Sequence, residues 1–187
     1  RCNSSLFTFT PGMQTHNTVV PMLKSSGASA AWPGVELTAR HNNIESSALV
    51  VYGEKMSQAL DPGYDVGQMD SGKGLSLYTV MASEDNGVNF VRQALPLSLA
   101  GQIKVAVGVD FPGGGDVTFS AITVPVASTR FWLEDRLTGS FTDMTTRSYT
   151  VSLPSNTYGT GRFFILASAN TPTAINLPEM PGDDLRI

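Results

Sequence analysis

One cysteine, Cys2, rules out an internal disulfide and leaves no thiol set for zinc. It stands directly behind Arg1 with no apolar signal segment before it, so it reads as a residue near a cut end, paired outside this piece. The start at Arg1 rather than methionine gives the same expectation of a processed piece of a longer protein. Histidine is nearly as scarce. His16 falls in the first stretch and His41 in "ARHNN", and both read as surface turn residues. A serine hydrolase needs a serine, a histidine and a carboxylate that converge, and no G-x-S-x-G elbow is present. Charge is thin as well, at 15% against about 25% for a typical globular domain. Lys24, Lys55, Lys73 and Lys104 are scattered and the net charge is -4. With no basic stripe to replace counterions at phosphates, nucleic acid is excluded as a partner. No apolar run approaches the roughly 20 residues of a membrane-spanning helix, and membrane insertion is not expected. No amphipathic helical pattern is found either.

The dominant period is two. "VELTAR" (35–40), "ALVVYGE" (48–54), "LSLYTV" (75–80), "VNFVRQAL" (88–95) and "IKVAVGV" (103–109) read as strands. So do "VTFSAITV" (117–124), "FWLED" (131–135), "SYTVSL" (148–153) and "RFFILAS" (162–168), with "LFTFT" (6–10) as an arm strand. These segments are rich in the β-branched and aromatic residues that pack on a pleated surface. Gly 18 and Pro 11 supply turns between them. "EDNG" (84–87) is expected to close a hairpin, "FPGGGD" (111–116) makes a second turn, and "SLPSNTYGTG" (152–161) a longer loop. The pattern predicts an all-β fold, an antiparallel β-sandwich of jelly-roll or immunoglobulin-like type with about nine or ten strands. With 187 residues the chain suits one domain with an extended arm. Residues 1–33 read as an N-terminal arm or linker, 34–170 as the sandwich, and 171–187, with three prolines, as a linker towards a further domain.

"DPGYDVGQMDSGKG" (61–74) is the densest cluster of polar signals. Gly67, Gly72 and Lys73 approach the spacing of a phosphate-binding loop, but Gly74 stands where that loop needs Ser or Thr for magnesium. A strand-like run also follows, where a helix N-terminus is required. Asp61, Asp65 and Asp70 are the candidate ligands of a calcium loop, although their spacing departs from the alternate-position pattern of an EF-hand. The preferred reading is a turn whose aspartates cap nearby backbone N–H groups, with no resident cofactor.

Trp32, Trp132, Tyr64, Tyr78 and Tyr158 are the candidates for a sugar-stacking platform, because aromatic rings offer flat apolar faces. Trp132 in "FWLED" reads as core, and Trp32, before Pro33, as the exposed candidate ligand-binding residue. Glu134 and Asp135 are adjacent, so on a strand they face opposite ways and do not form the paired carboxylates of a glycosidase. No catalytic residues are assigned.

"FWLEDRLTGSFTDMTTRSYTVSLPSNTYGTGRFFILAS" (131–168) resembles a recurring segment of large secreted Bacteroidota proteins. Leu133-Glu134-Asp135, Leu137-Thr138-Gly139, Thr142-Asp143, Tyr149-Thr150 and Gly161-Arg162-Phe163 follow in that segment's order and spacing. "DPGYDVGQM", "LSLYTV", "VRQALPL" and "IKVAVGV" extend the resemblance over roughly residues 35–170. In that family the module precedes a C-terminal sorting domain of the type IX secretion system, and "LRI" at the end resembles that domain's first strand. The resemblance implies a β-sandwich displayed at or released from the cell surface, non-enzymatic and structural or adhesive. Its expected partners are other domains or subunits of a surface assembly. The alternative is a carbohydrate-binding module with glycan partners.

Overall fold

A computed structural model describes residues 32–69, 74–81 and 87–172. The arm strand at 6–10, Cys2, His16, Asp70, Lys73, the tip of "EDNG" and the stretch 173–187 lie outside the described residues. Among the described residues eleven strands run in chain order. They are β1 (Gly34–His41), β2 (Ile44–Gly53), β3 (Val66–Gly67), β4 (Ser76–Val80), β5 (Asn89–Pro96) and β6 (Lys104–Asp110). Then follow β7 (Gly115–Val124), β8 (Arg130–Asp135), β9 (Ser140–Asp143), β10 (Tyr149–Leu153) and β11 (Phe163–Ser168). One 3-10 turn, Leu97–Leu99, interrupts them, and no α-helix occurs among the described residues.

The fold is all-β. All nine strands expected between residues 35 and 168 are present, and β3 and β9 are additional. The strands form one sheet in the order β10-β7-β1-β2-β5-β4-β6-β11-β8-β9, with β3 beside β5. The expectation of a purely antiparallel arrangement is corrected at one pairing. Leu49–Gly53 of β2 runs parallel to Arg92–Pro96 of β5, while every other strand pairing is antiparallel. Parallel neighbours need a long crossover, and residues 54–88, carrying β3 and β4, supply it.

The sheet curls until its distant parts meet, giving a nearly barrel-shaped body. Phe119 on β7 stands 4.9 Å, ring to ring, from Phe163 on β11. The Tyr149 hydroxyl on β10 reaches β8. Alternation decides what lines the interior. Val35, Leu37 and Ala39 of β1 and Val117 and Phe119 of β7 are buried, while their neighbours Arg40 and Ser120 are exposed. Leu77, Val105, Val107, Leu133, Phe163 and Ile165 complete the same core.

Strands β4, β6, β8 and β11 are buried on both faces. Their opposite face carries a second apolar cluster of Tyr78, Val80, Ala106 and Phe164. The Arg136 guanidinium lies 3.7 Å from the Phe164 ring centroid, a cation–π contact on that face. Gly108 is paired across from Tyr78, and the tyrosine ring lies directly over it. A Cβ built there would come within 2.0 Å of the ring, so the ring's seat depends on the missing side chain.

Candidate functional site

Asp61 and Asp65 close their own loop. Asp61 Oδ2 accepts from Ser57 N at 2.6 Å and its Oδ1 from Ser57 Oγ at 3.0 Å. Asp65 Oδ2 accepts from Asp61 N at 2.6 Å, and its Oδ1 from Ala94 N on β5 at 2.7 Å. Each of the four oxygens therefore has a hydrogen-bond donor. Tyr64 N and Asp65 N both donate to Asp61 O, which makes the segment a tight turn pinned to β5. Among the described residues no group of three His, Cys, Asp or Glu side chains is placed to hold a metal. The segment leads into strand β4, not into a helix.

Trp32 departs from the exposed position expected of it. It is half-buried, with its ring centroid 5.5 Å from that of Tyr64 and the Arg92 guanidinium 5.3 Å away. The expected aromatic platform is dispersed. Tyr78 and Trp132 are buried, Tyr64 packs on Trp32, and Tyr158 is exposed elsewhere.

The residues behind the family resemblance converge on one carboxylate. Asp135 is 1% exposed. Its Oδ1 accepts from Arg162 Nε at 3.0 Å and Leu137 N at 3.0 Å. Its Oδ2 accepts from Arg162 Nη2 at 2.8 Å and the Tyr149 hydroxyl at 2.7 Å. The Leu-Glu-Asp, Leu-Thr-Gly, Tyr-Thr and Gly-Arg-Phe elements thus meet at a single point. Burial alone would raise the Asp135 pKa. Hydrogen bonds from Arg162 and Tyr149 and the guanidinium charge outweigh it and hold the group below the ordinary carboxylate range. The Thr-Asp element ends β9 in the same manner. Asp143 Oδ1 accepts from Thr145 N at 2.9 Å and Oδ2 from Arg130 Nη1 at 3.1 Å. On the opposite side of β8, Glu134 Oε2 lies 2.8 Å from Lys104 Nζ. The pair is close, but it is not aligned as a hydrogen bond. Both side chains are less than a tenth exposed.

A sizeable cleft among the described residues has no counterpart in the residue pattern. It opens where β4 begins and β6 ends, encloses about 650 Å³, and is lined by Gln68, Ser76, Asn89, Asp110, Pro112 and Tyr158 among others. The loop carrying Tyr158 is fastened to the end of β6. Val109 N donates to Gly159 O at 3.0 Å, Phe111 N to Thr157 O at 2.8 Å, and Asn156 N to Pro112 O at 3.0 Å. Asp110 Oδ1 accepts from the Tyr78 hydroxyl at 3.0 Å and from Gly159 N at 2.9 Å. Burial, with the adjacent Asp110 carboxylate, pushes the Tyr78 pKa far above its ordinary value, so this hydroxyl stays a donor. "FPGGGD" and "SLPSNTYGTG" are legible as turns, but nothing in their residue pattern indicates that they meet.

Comparison with known families, curated proteins and solved structures gives no match for this chain. The resemblance to secreted Bacteroidota modules therefore rests on the residues quoted for it.

Proposed function

We propose that this chain is a non-enzymatic structural or adhesive module of a secreted bacterial protein, a type IX secretion cargo displayed at the cell surface. In this reading the curled sheet is a variant of the β-sandwich, and it packs against other domains or subunits of a surface assembly. The observation that carries the proposal is the knot at Asp135. The residues shared with the secreted modules are those that tie β8, β10 and the entry to β11 together. Their role is cohesion of an exported body exposed to proteases, since Asp135, Tyr149 and Arg162 spend their polar groups on one another. Asp61 and Asp65 likewise serve their own turn. A carbohydrate-binding role is a second reading, favoured by the open polar cleft with Tyr158 at its rim.

The test is immunogold labelling of intact cells of the encoding organism with antibody raised against this chain. Surface label, lost when the secretion machinery is deleted, is the expected result. Label confined to the cell interior would overturn the proposal.

A further inference from the structure

We infer that the cleft between Asp110 and Tyr158 binds neutral oligosaccharides, an inference that deepens, and rests on, the adhesive reading. Four features of the cleft point to this ligand class. Its volume, about 650 Å³, lies within the range of pockets that hold small organic ligands. Tyr158, 58% exposed, presents an aromatic ring on which the apolar face of a pyranose can stack. Ser76 offers a hydroxyl, and Gln68 and Asn89 offer amides part of whose capacity is spent inside the protein, Gln68 Nε2 donating to Leu77 O at 3.5 Å and Asn89 bonding the Tyr78 hydroxyl. Asp110 supplies a carboxylate, the strongest acceptor for a hydroxyl donor.

The Asp110 side chain is also held in advance. Tyr78 and Gly159 both bond its Oδ1, which orients the group while Oδ2 takes neither bond. The ties from Val109, Phe111 and Asn156 likewise set the loop that carries Tyr158. A preorganised site does not have to be ordered by its ligand, which preserves affinity for a weakly binding sugar. Charge selects the class. Among the described lining residues the charged side chain is the Asp110 carboxylate, which disfavours phosphorylated, sulfated and acidic sugars beside it. Trp32 belongs to a separate cluster with Tyr64 and Arg92 and takes no part.

The test is a binding assay of the 187-residue chain against oligosaccharides of glucose, mannose, galactose, xylose and N-acetylglucosamine, with sialyllactose and polygalacturonate as anionic probes. The expected result is binding to at least one neutral probe, weakened about tenfold or more by Tyr158→Ala and by Asp110→Asn, and unchanged by Trp32→Ala. Tyr158 is exposed and Asp110→Asn retains an acceptor oxygen, so urea unfolding curves that match the parent chain certify both variants. No binding to any neutral probe, preference for the anionic ones, or neutral binding that survives Tyr158→Ala would overturn the inference. Surface labelling without sugar binding removes the cleft's role and leaves the surface module standing. Sugar binding with label only inside the cell does the reverse.

Discussion

Arg162 and Asp135 form a two-pronged ion pair, Nε to Oδ1 at 3.0 Å and Nη2 to Oδ2 at 2.8 Å, between the turn that enters β11 and the end of β8. The fork geometry leaves both carboxylate oxygens engaged and still admits Tyr149 from β10 and Leu137 N from the following turn. One buried charge thereby ties together segments from both ends of the sheet.

The charge on Asp135 carries a pH signature. Its pKa in the folded chain lies below the ordinary 3.8 of an unfolded aspartate. A depressed carboxylate adds stability that is complete above the unfolded value and is lost as pH falls through the folded one. Urea unfolding measured from pH 7 down to pH 2 should show a loss of stability that begins near pH 4 and continues below it. In Asp135→Asn the slope below pH 4 should be shallower than in the parent chain.

Lys104 and Glu134 make a different kind of pair, buried but without aligned hydrogen bonding. Arg136 Nε lies 4.0 Å from Glu134 Oε1, so the carboxylate keeps a more distant cation when Lys104 is removed, whereas removing Glu134 strands the Lys104 ammonium beside Phe141 at a cost of about 3 to 5 kcal/mol. Replacing both with apolar side chains removes that penalty. Glu134→Leu alone should be strongly destabilised in chemical denaturation, and Lys104→Met less so because Arg136 remains near Glu134. Lys104→Met with Glu134→Leu should recover most of the loss.

The Tyr78 ring covers Gly108 so closely that a methyl group has no room. Gly108→Ala should displace the ring, weaken its bond to Asp110 and lower stability by about 1 to 3 kcal/mol. Near-ultraviolet circular dichroism should change along with the urea midpoint. An unchanged spectrum would mean that the ring is not seated as described.

All four oxygens of Asp61 and Asp65 already accept hydrogen bonds. Added calcium should therefore leave the melting temperature unchanged, and a chelator should do the same. A calcium-dependent rise would restore the cation-loop reading, with Asp70 as the further ligand. Asp65→Ala should destabilise the chain with or without calcium, because Ala94 N and Asp61 N lose their acceptor.

Much of the fold is legible in the residues, and the reasons are local. Val35, Leu37 and Ala39 alternate with polar neighbours, and "RFFILAS" is apolar on both faces, so each announces a strand. Val66–Gly67 and Ser140–Asp143 are short and only partly buried or exposed, which leaves no periodic signal. Alternation carries no information about direction, so the parallel pairing of β2 with β5 is invisible until the crossover is traced. Asp135, Tyr149 and Arg162 are individually recognisable in the family resemblance, but their meeting is a product of the curled sheet. The same holds for the cleft. Gln68, Ser76, Asn89, Asp110 and Tyr158 come from five separate stretches, and the β4–β6 and β4–β5 pairings, the Gln68–Asn89 backbone bond and the strapped loop bring them together. Trp32 shows the converse case. A tryptophan before a proline reads as exposed, yet Tyr64 and Arg92 are near enough to cover part of it.

Asp135, Tyr149 and Arg162 hold the two ends of the curled sheet together. Urea unfolding of Arg162→Ala tests this tie most directly, since the substitution strands the Asp135 carboxylate without its cation. The expected result is a loss of about 3 to 5 kcal/mol in a cooperative transition. A variant as stable as the parent chain would contradict it.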